Sequence, residues 1–302
     1  MLYWKHLETV RDAFIDINYY YLLFFMLNLT ILAYLIYLLD NLMHPHIFCT
    51  AKTVRNDNSS RFGKYIRLQY THRDTLVSAF TETFLLEKSR LTSVDSENER
   101  NYHIFYEMFA GSDESLDLTR LGLECGVRNF QILFSPTSTA PSYMDDDCEN
   151  FSLLCASLRI LGASEEEMQE IWHFLATVLH LGNCNVSSNV SSSGDLQVDV
   201  SCTTRSMDQL ADSLGLKAEG FSQALTVHVV QLGRRGSITR KRLSPDDVAH
   251  NIQALMKWMY SNLFKWLLRK INYVHCGRPG ELPVSSDRAV KFIGILDIFG
   301  YE

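Results

Sequence analysis

Phe292-Ile293-Gly294-Ile295-Leu296-Asp297-Ile298-Phe299-Gly300-Tyr301-Glu302 is the stretch on which the fold turns. Val290 to Leu296 is apolar throughout except for Lys291, and the run stops at Asp297. A continuous apolar run of strand length, ending in Asp-x-x-Gly, is the pattern of a buried sheet strand feeding a ligand loop. An acid at the strand end can hold Mg²⁺ through water, and the glycine lets a backbone N–H approach a phosphate. Taken alone, the stretch reads equally well as a strand followed by a tight turn.

Asn56-Asp57-Asn58-Ser59-Ser60-Arg61-Phe62-Gly63-Lys64 supplies the complement. Its short hydroxyl and amide side chains are hard oxygen donors suited to Mg²⁺, and its Arg and backbone amides suit phosphate. By composition alone it is also an ordinary solvated turn.

The 302 residues are enough for one or two domains with a sizeable core. Hydrophobic residues make up 46% and charged residues 21%, a globular composition. The net charge of −7 argues against nonspecific nucleic-acid binding. Seven scattered cysteines without a Cys-x-x-Cys pair argue against a zinc site or a disulfide framework and fit a reducing interior. His44 and His46 beside Cys49 have loose metal-ligand spacing with no evident fourth ligand. Asp145-Asp146-Asp147 reads as a solvated helix start or a cation site.

Ile17 to Leu39 carries no charge and lies between Asp16 and Asp40. A bilayer core needs about 20 apolar residues in a helix, so the segment can span a membrane, with Tyr19 to Tyr21 at one interface. It is equally a buried helix, or a stretch joined upstream from outside the family that follows.

Elsewhere, Tyr65 to Gln69 alternates as a strand, and Thr81 to Lys88 fits strand or helix. Asn98 to Phe109 predicts a helix with Tyr102, Phe105, Tyr106 and Phe109 on one face. Asp147 to Leu161 predicts another. Ser164 caps a third that stops at Gly182-Asn183. Ser135 to Ser142 and the Ser/Asn-rich Val186 to Ser193 read as loops, and Ser206 to Leu214 as a helix. Ser244-Pro245-Asp246-Asp247 opens the longest helix, running to about Asn272. Gly277 to Asp287 is a loop.

Asn56 to Lys64 resembles myosin switch I, and Leu296 to Glu302 resembles switch II. Phe84 to Arg90, Asn98 to Tyr106, Leu179 to Asn183 and the Ala254 to Asn272 helix are similar to further segments of the same family, in family order. The resemblance covers about Ala51 to Glu302 and leaves residues 1–50 outside it. It implies an α/β, mostly helical fold: an incomplete P-loop-type motor with the upper part of the actin-binding region and part of the central sheet. It implies an actin-based motor in the cytoplasmic actin cytoskeleton, with ATP and Mg²⁺ as cofactors and the actin filament as partner. Light chains are not expected on this segment.

The resemblance also implies roles. Asn56 faces the phosphates, Ser60 ligates Mg²⁺, and Ser59 touches the γ-phosphate and the attacking water. Gly300 gives its N–H to the γ-phosphate, Asp297 orients the Mg²⁺ waters, and Arg61 pairs with Glu302 when the switches close. Tyr301 stands where the family usually has Phe. Ser237, between Arg234-Arg235 and Arg240-Lys241-Arg242, lies sixteen positions before Gln253, where myosins carry an acidic or phosphorylatable residue, and is expected to be regulatory.

A P-loop reads Gly-x-x-x-x-Gly-Lys-[Ser/Thr]. The one Gly-Lys pair here, Gly63-Lys64, is followed by Tyr65. The chain on its own is therefore expected to be inactive as an ATPase. The alternative to a motor is a noncatalytic myosin-like fragment, tethered to a membrane through Ile17 to Leu39.

Overall fold

A computed structural model describes residues 48–71, 76–92, 98–111, 116–134, 144–190, 196–231, 238–276 and 291–298. All belong to one compact unit, Pro45–Glu302. Ile17 to Leu39, His44, His46, the Ser135 to Ser142 and Gly277 to Asp287 loops, Ser237, Gly300, Tyr301 and Glu302 lie outside the described residues.

Strands β1 (Thr50–Ala51) and β2 (Ser59–Ser60) form a small antiparallel pair around the Asn56 loop. β3 (Gly63–Tyr70) and β4 (Leu76–Phe84) form a hairpin. Helices α1 (His103–Ala110), α2 (Leu118–Leu121), α3 (Asp147–Ile160) and α4 (Glu165–Gly182) follow. Then come the β5 (Cys184–Val190) and β6 (Leu196–Cys202) hairpin and α5 (Met207–Ser213). After α6 (Ala218–Thr226) come the β7 (Val227–Gln231) and β8 (Ile238–Arg242) hairpin, α7 (Pro245–Cys276) and β9 (Lys291–Asp297). The larger sheet has the order β4-β3-β9, all antiparallel.

Helix starts follow local chemistry. Ser164 and Glu167 form a reciprocal capping box on α4, as Ser206 and Gln209 do on α5. Ser244 Oγ accepts from the Asp247 amide at 3.2 Å and donates to its carboxylate at 2.7 Å. Pro245 then takes the first position of α7, where its missing N–H costs nothing. α1 begins later than its apolar face predicts. Tyr102 forms a β-bridge with Ala51, and the Asn101 side chain donates to the Ile132 carbonyl at 3.0 Å, so Asn98 to Tyr102 is tied outward rather than wound.

Two further readings are corrected. Val186 to Val190 is strand rather than loop, because Cys184 and Val186 face inward while Asn185 and Ser187 face solvent, a period of two hidden by the Ser/Asn content. β9 is not buried. It is the edge strand, paired on one side with β3, and Phe292, Leu296 and Ile298 are exposed among the described residues. Gly294 in β9 sits beneath Tyr65, where a Cβ would meet the ring hydroxyl at 2.3 Å.

α7 organises the core. Its Asn272 side chain accepts from the Thr81 amide and donates to the Thr81 carbonyl, both at 2.8 Å, clamping it to β4. Tyr260 donates to the Phe48 carbonyl at 2.6 Å and stacks on Tyr102 with ring centroids 5.0 Å apart. Asn251 donates to the Leu225 carbonyl of α6 at 3.2 Å.

Asp147 is not a solvated helix start. It is buried, paired bidentately with the buried Arg100 at 2.8 and 3.3 Å, and accepts from the Met144 amide at 2.8 Å. Arg100 also lies 4.0 Å from the Tyr106 ring centroid. Beside this pair, buried Glu107 has Oε2 without a hydrogen-bond partner among the described residues. Burial first, and then the Asp147 charge, push its carboxyl up to about 8, against the pull of Arg100. The folded chain therefore holds a proton that the unfolded chain releases above about 4.5. This stabilisation is fully present below that pH and is lost as pH rises to about 8.

Two outcomes are expected. Asp147→Ala, which strands the Arg100 charge, lowers stability by about 3–5 kcal/mol, read from the urea midpoint. Glu107→Gln flattens the decline of that midpoint between about pH 5 and pH 8, and an unchanged pH profile contradicts the assignment.

Candidate functional site

The Asn56 loop is built by its own short side chains. Thr53 and Asn56 close it, with the Thr53 amide donating to the Asn56 carbonyl at 2.8 Å and the Asn56 amide donating to Thr53 Oγ1 at 3.1 Å. Asn56 Oδ1 accepts from the Asn58 amide at 2.9 Å, an Asx turn. Lys52 pairs with Asp57, and the His103 ring contacts the Asp57 carbonyl at 3.0 Å. Asn56 itself is exposed, and Ser60 is half-buried.

Ser59 is buried in β2, and its Oγ accepts from Arg61 Nη1 at 2.9 Å. Arg61 is held at both ends. Its amide donates to the Cys49 carbonyl at 2.7 Å, and its Nε donates to Glu87 Oε2 at 2.6 Å. Glu87 Oε2 also takes Arg90 Nε at 3.1 Å, and Arg90 reaches Glu99 at 3.1 Å and the Arg100 carbonyl at 3.0 Å. Glu302, the expected partner of Arg61, lies outside the described residues, as does Gly300.

β3 leaves this loop and pairs directly with β9. Lys64 stands opposite Asp297 in the ladder, with the buried Lys64 Nζ 4.0 Å from the exposed Asp297 carboxylate. The two quoted stretches, more than two hundred residues apart, thus meet at one end of one sheet. Asn56, Ser59, Ser60 and Arg61 share one loop, and Asp297 lies one strand away. Lys64 and Asp297 share one end of the larger sheet, and Ser60 and Arg61 stand just before Lys64 in the chain; cations and hard oxygens are the donor types that a magnesium–phosphate ligand requires. Glu87, Arg90 and Lys64 received no role from the sequence. Glu87 is the one carboxylate of the Phe84 to Arg90 segment, but nothing in the sequence marks it as the partner of Arg61.

Among the described residues, no group of three or more His, Cys, Asp or Glu could hold a metal. Cys49 is fully buried, with its thiol pushed up by desolvation. No described helix is long and apolar enough to cross a membrane.

The chain belongs to the myosin head (motor domain) family, whose sequence model matches residues 44–302. It is 32% identical over 255 residues to unconventional myosin-Ia of Rattus norvegicus, covering 84% of this chain and 29% of that protein. It is 34% identical to myosin type-2 heavy chain 2 of Schizosaccharomyces pombe, with 84% and 11% coverage. It is 34% identical over 268 residues to myosin IE heavy chain of Dictyostelium discoideum, with 88% and 26% coverage. The chain thus spans less than a third of the length of each of these relatives.

Glu87→Ala is expected to remove one tether of Arg61 and cost about 1.5–3 kcal/mol, the usual worth of a charge-assisted hydrogen bond. Hydrogen exchange should rise at Ser59 to Arg61 and at residue 87, whose amide donates to the Arg61 carbonyl at 3.0 Å. Unchanged protection there would show that Arg61 is held by other contacts.

Proposed function

We propose that this chain is the switch-bearing, filament-facing part of an actin-based motor of the actin cytoskeleton, driven by ATP hydrolysis. The observation that carries this reading is the pairing of β3 with β9, which sets Lys64, at the end of the Asn56 to Lys64 stretch, opposite Asp297. The residues fit Mg²⁺ and phosphate. Ser60 and Asp297 offer hard oxygens and are at least partly accessible, and Asn56 is exposed. When bound, Mg²⁺ neutralises the charge that develops on the transferred phosphoryl group.

In this reading Ser60 ligates the metal, Asp297 orients its waters, and Ser59 and the Gly300 amide face the γ-phosphate. Arg61 leaves Glu87 for Glu302 when the switches close. Moving Arg61 between two carboxylates keeps its charge paired throughout, which limits the desolvation cost of closure.

In this reading no phosphate cradle is expected within these residues, because the Gly63-Lys64 pair is built into β3 with Lys64 Nζ buried 4.0 Å from Asp297. A cradle needs a nest of backbone N–H groups at a helix N-terminus. The chain by itself is therefore expected to release no phosphate from MgATP above a protein-free blank, with or without actin filaments. Actin-stimulated turnover by this chain would contradict that.

The filament-facing surface is the β7–β8 hairpin, where Arg240, Lys241 and Arg242 are exposed. Co-sedimentation with actin filaments should be weak and salt-sensitive. Reversing all three charges to Glu should weaken it about tenfold or more at low salt; equal binding by the variant would remove this surface from the proposal. Ser237 adjoins the same strand. Phosphate adds about −1.5 to −2 charge there, and Ser237→Glu is expected to shift the same binding curve toward the charge-reversed variant.

A further inference from the structure

Seven cysteines have no part in the motor reading, and two of them share a place in the fold. Cys184 opens β5 and Cys202 closes β6, and they are direct partners in the antiparallel register. Such partners have Cα atoms about 4.5–5.5 Å apart. A disulfide accepts about 4.4–6.8 Å. Both thiols point at one atom: Cys202 Sγ lies 3.2 Å and Cys184 Sγ 3.8 Å from the His180 carbonyl oxygen, at the end of α4. Both are free and half-buried. Cys184 also lines a cleft of about 370 Å³ together with Gln131, Ile132, Ile252 and Met256, so a small molecule can reach it.

We propose that Cys184 and Cys202 form a vicinal dithiol site that reacts with low-molecular-weight disulfides and closes to a cross-strand disulfide. This is independent of the nucleotide reading.

The surroundings assign the order of events. His180 Nε2 lies 2.9 Å from the Leu121 carbonyl, which can only accept, so Nε2 carries the proton. Nδ1 then accepts from the Thr204 hydroxyl at 2.8 Å. Burial lowers the His180 ring to about 4, which keeps it neutral. Thr204 Oγ1 lies 3.4 Å from Cys202 Sγ. The Cys184 S–H, together with backbone N–H groups of Thr204 and Arg205, holds the Cys202 thiol below the usual range, while the Cys184 thiol is raised. At rest the Cys202 S–H donates to the His180 carbonyl; of the two thiols Cys202 is the one that ionises more readily and then attacks, while Cys184 keeps its proton.

The Cys202 thiolate attacks one sulfur of the disulfide RSSR. A Cys202–S–S–R bond forms, and RS⁻ leaves. Cys184 then loses its proton to solvent, and its sulfur attacks the Cys202 sulfur. The Cys184–Cys202 bond forms, and a second RS⁻ leaves. Two protein thiols are oxidised to one disulfide, and one RSSR is reduced to two thiols.

The test treats the folded full chain with oxidised glutathione, then blocks free thiols by alkylation and maps peptides by mass spectrometry. The expected product is a Cys184–Cys202 cross-linked peptide that has lost two hydrogens, with the exposed Cys125 and Cys148 carrying only mixed glutathione adducts. In Cys184→Ser the mixed adduct should accumulate on Cys202. In Cys202→Ser modification of Cys184 should slow by at least tenfold. Two results overturn the proposal. One is wild-type protein with glutathione on Cys125 and Cys148 but no cross-link. The other is Cys184→Ser protein whose Cys202 reacts no faster than the buried Cys49 and Cys155. The wild-type measurement stands even if a serine variant folds poorly.

Discussion

Asn272 satisfies both backbone groups of Thr81, and much of the architecture hangs from that clamp. α7 cannot shift along β4 without leaving a buried N–H and C=O unpaired, at about 1–3 kcal/mol for each group. The same helix fixes the start of the loop region through Tyr260 and the Phe48 carbonyl, and fixes α6 through Asn251. The sheet, the residues before the Asn56 loop and the helix before the β7–β8 hairpin are therefore all tied to one helix, and Tyr102 stacks on its Tyr260.

Arg61 explains how such a loop keeps one form at rest. Glu87 holds it, and Arg90 shares the same carboxylate oxygen while tying it to Glu99 and the backbone at Arg100. Two guanidinium groups on one oxygen crowd like charges, so the lock is firm enough to position Arg61 and is also open to competition from another carboxylate. Arg100 carries the network on to Asp147 and the buried Glu107. The charge centre behind the Asn56 loop is thus continuous with the helical core.

Much of this was legible in the residues. Ser164, Ser206 and Ser244 each announce a helix, and each caps one, because capping is local chemistry. The neighbourhood of the strand that ends at Asp297 and the stretch that ends at Lys64 followed from family order, and β3 pairs with β9. The misses share a cause. The strand nature of Val186 to Val190 depends on partners across the hairpin, the burial of Asp147 depends on Arg100 from another segment, and the exposure of β9 depends on its neighbours rather than on its own apolar run. Long-range pairing decides each of these, and no local window contains it. The site itself was legible as types of atoms in order; that Glu87 holds Arg61 was not, because nothing in the spacing of 61 and 87 requires them to meet.

The sheet order also has a consequence in time. β3 pairs with β4 across a short connection, but its other edge is completed by β9, whose residues are made more than two hundred positions later. At about 5–20 residues per second, a ribosome leaves that edge of β3 open for roughly 10–40 s. An open strand edge invites whatever extended segment comes first. The helices that emerge in that interval satisfy their own backbones, and the intervening strands pair with one another in the local β5–β6 and β7–β8 hairpins, so both offer the waiting edge little to bind. Local pairing between the two strands thus leaves β3 available for the partner that arrives last.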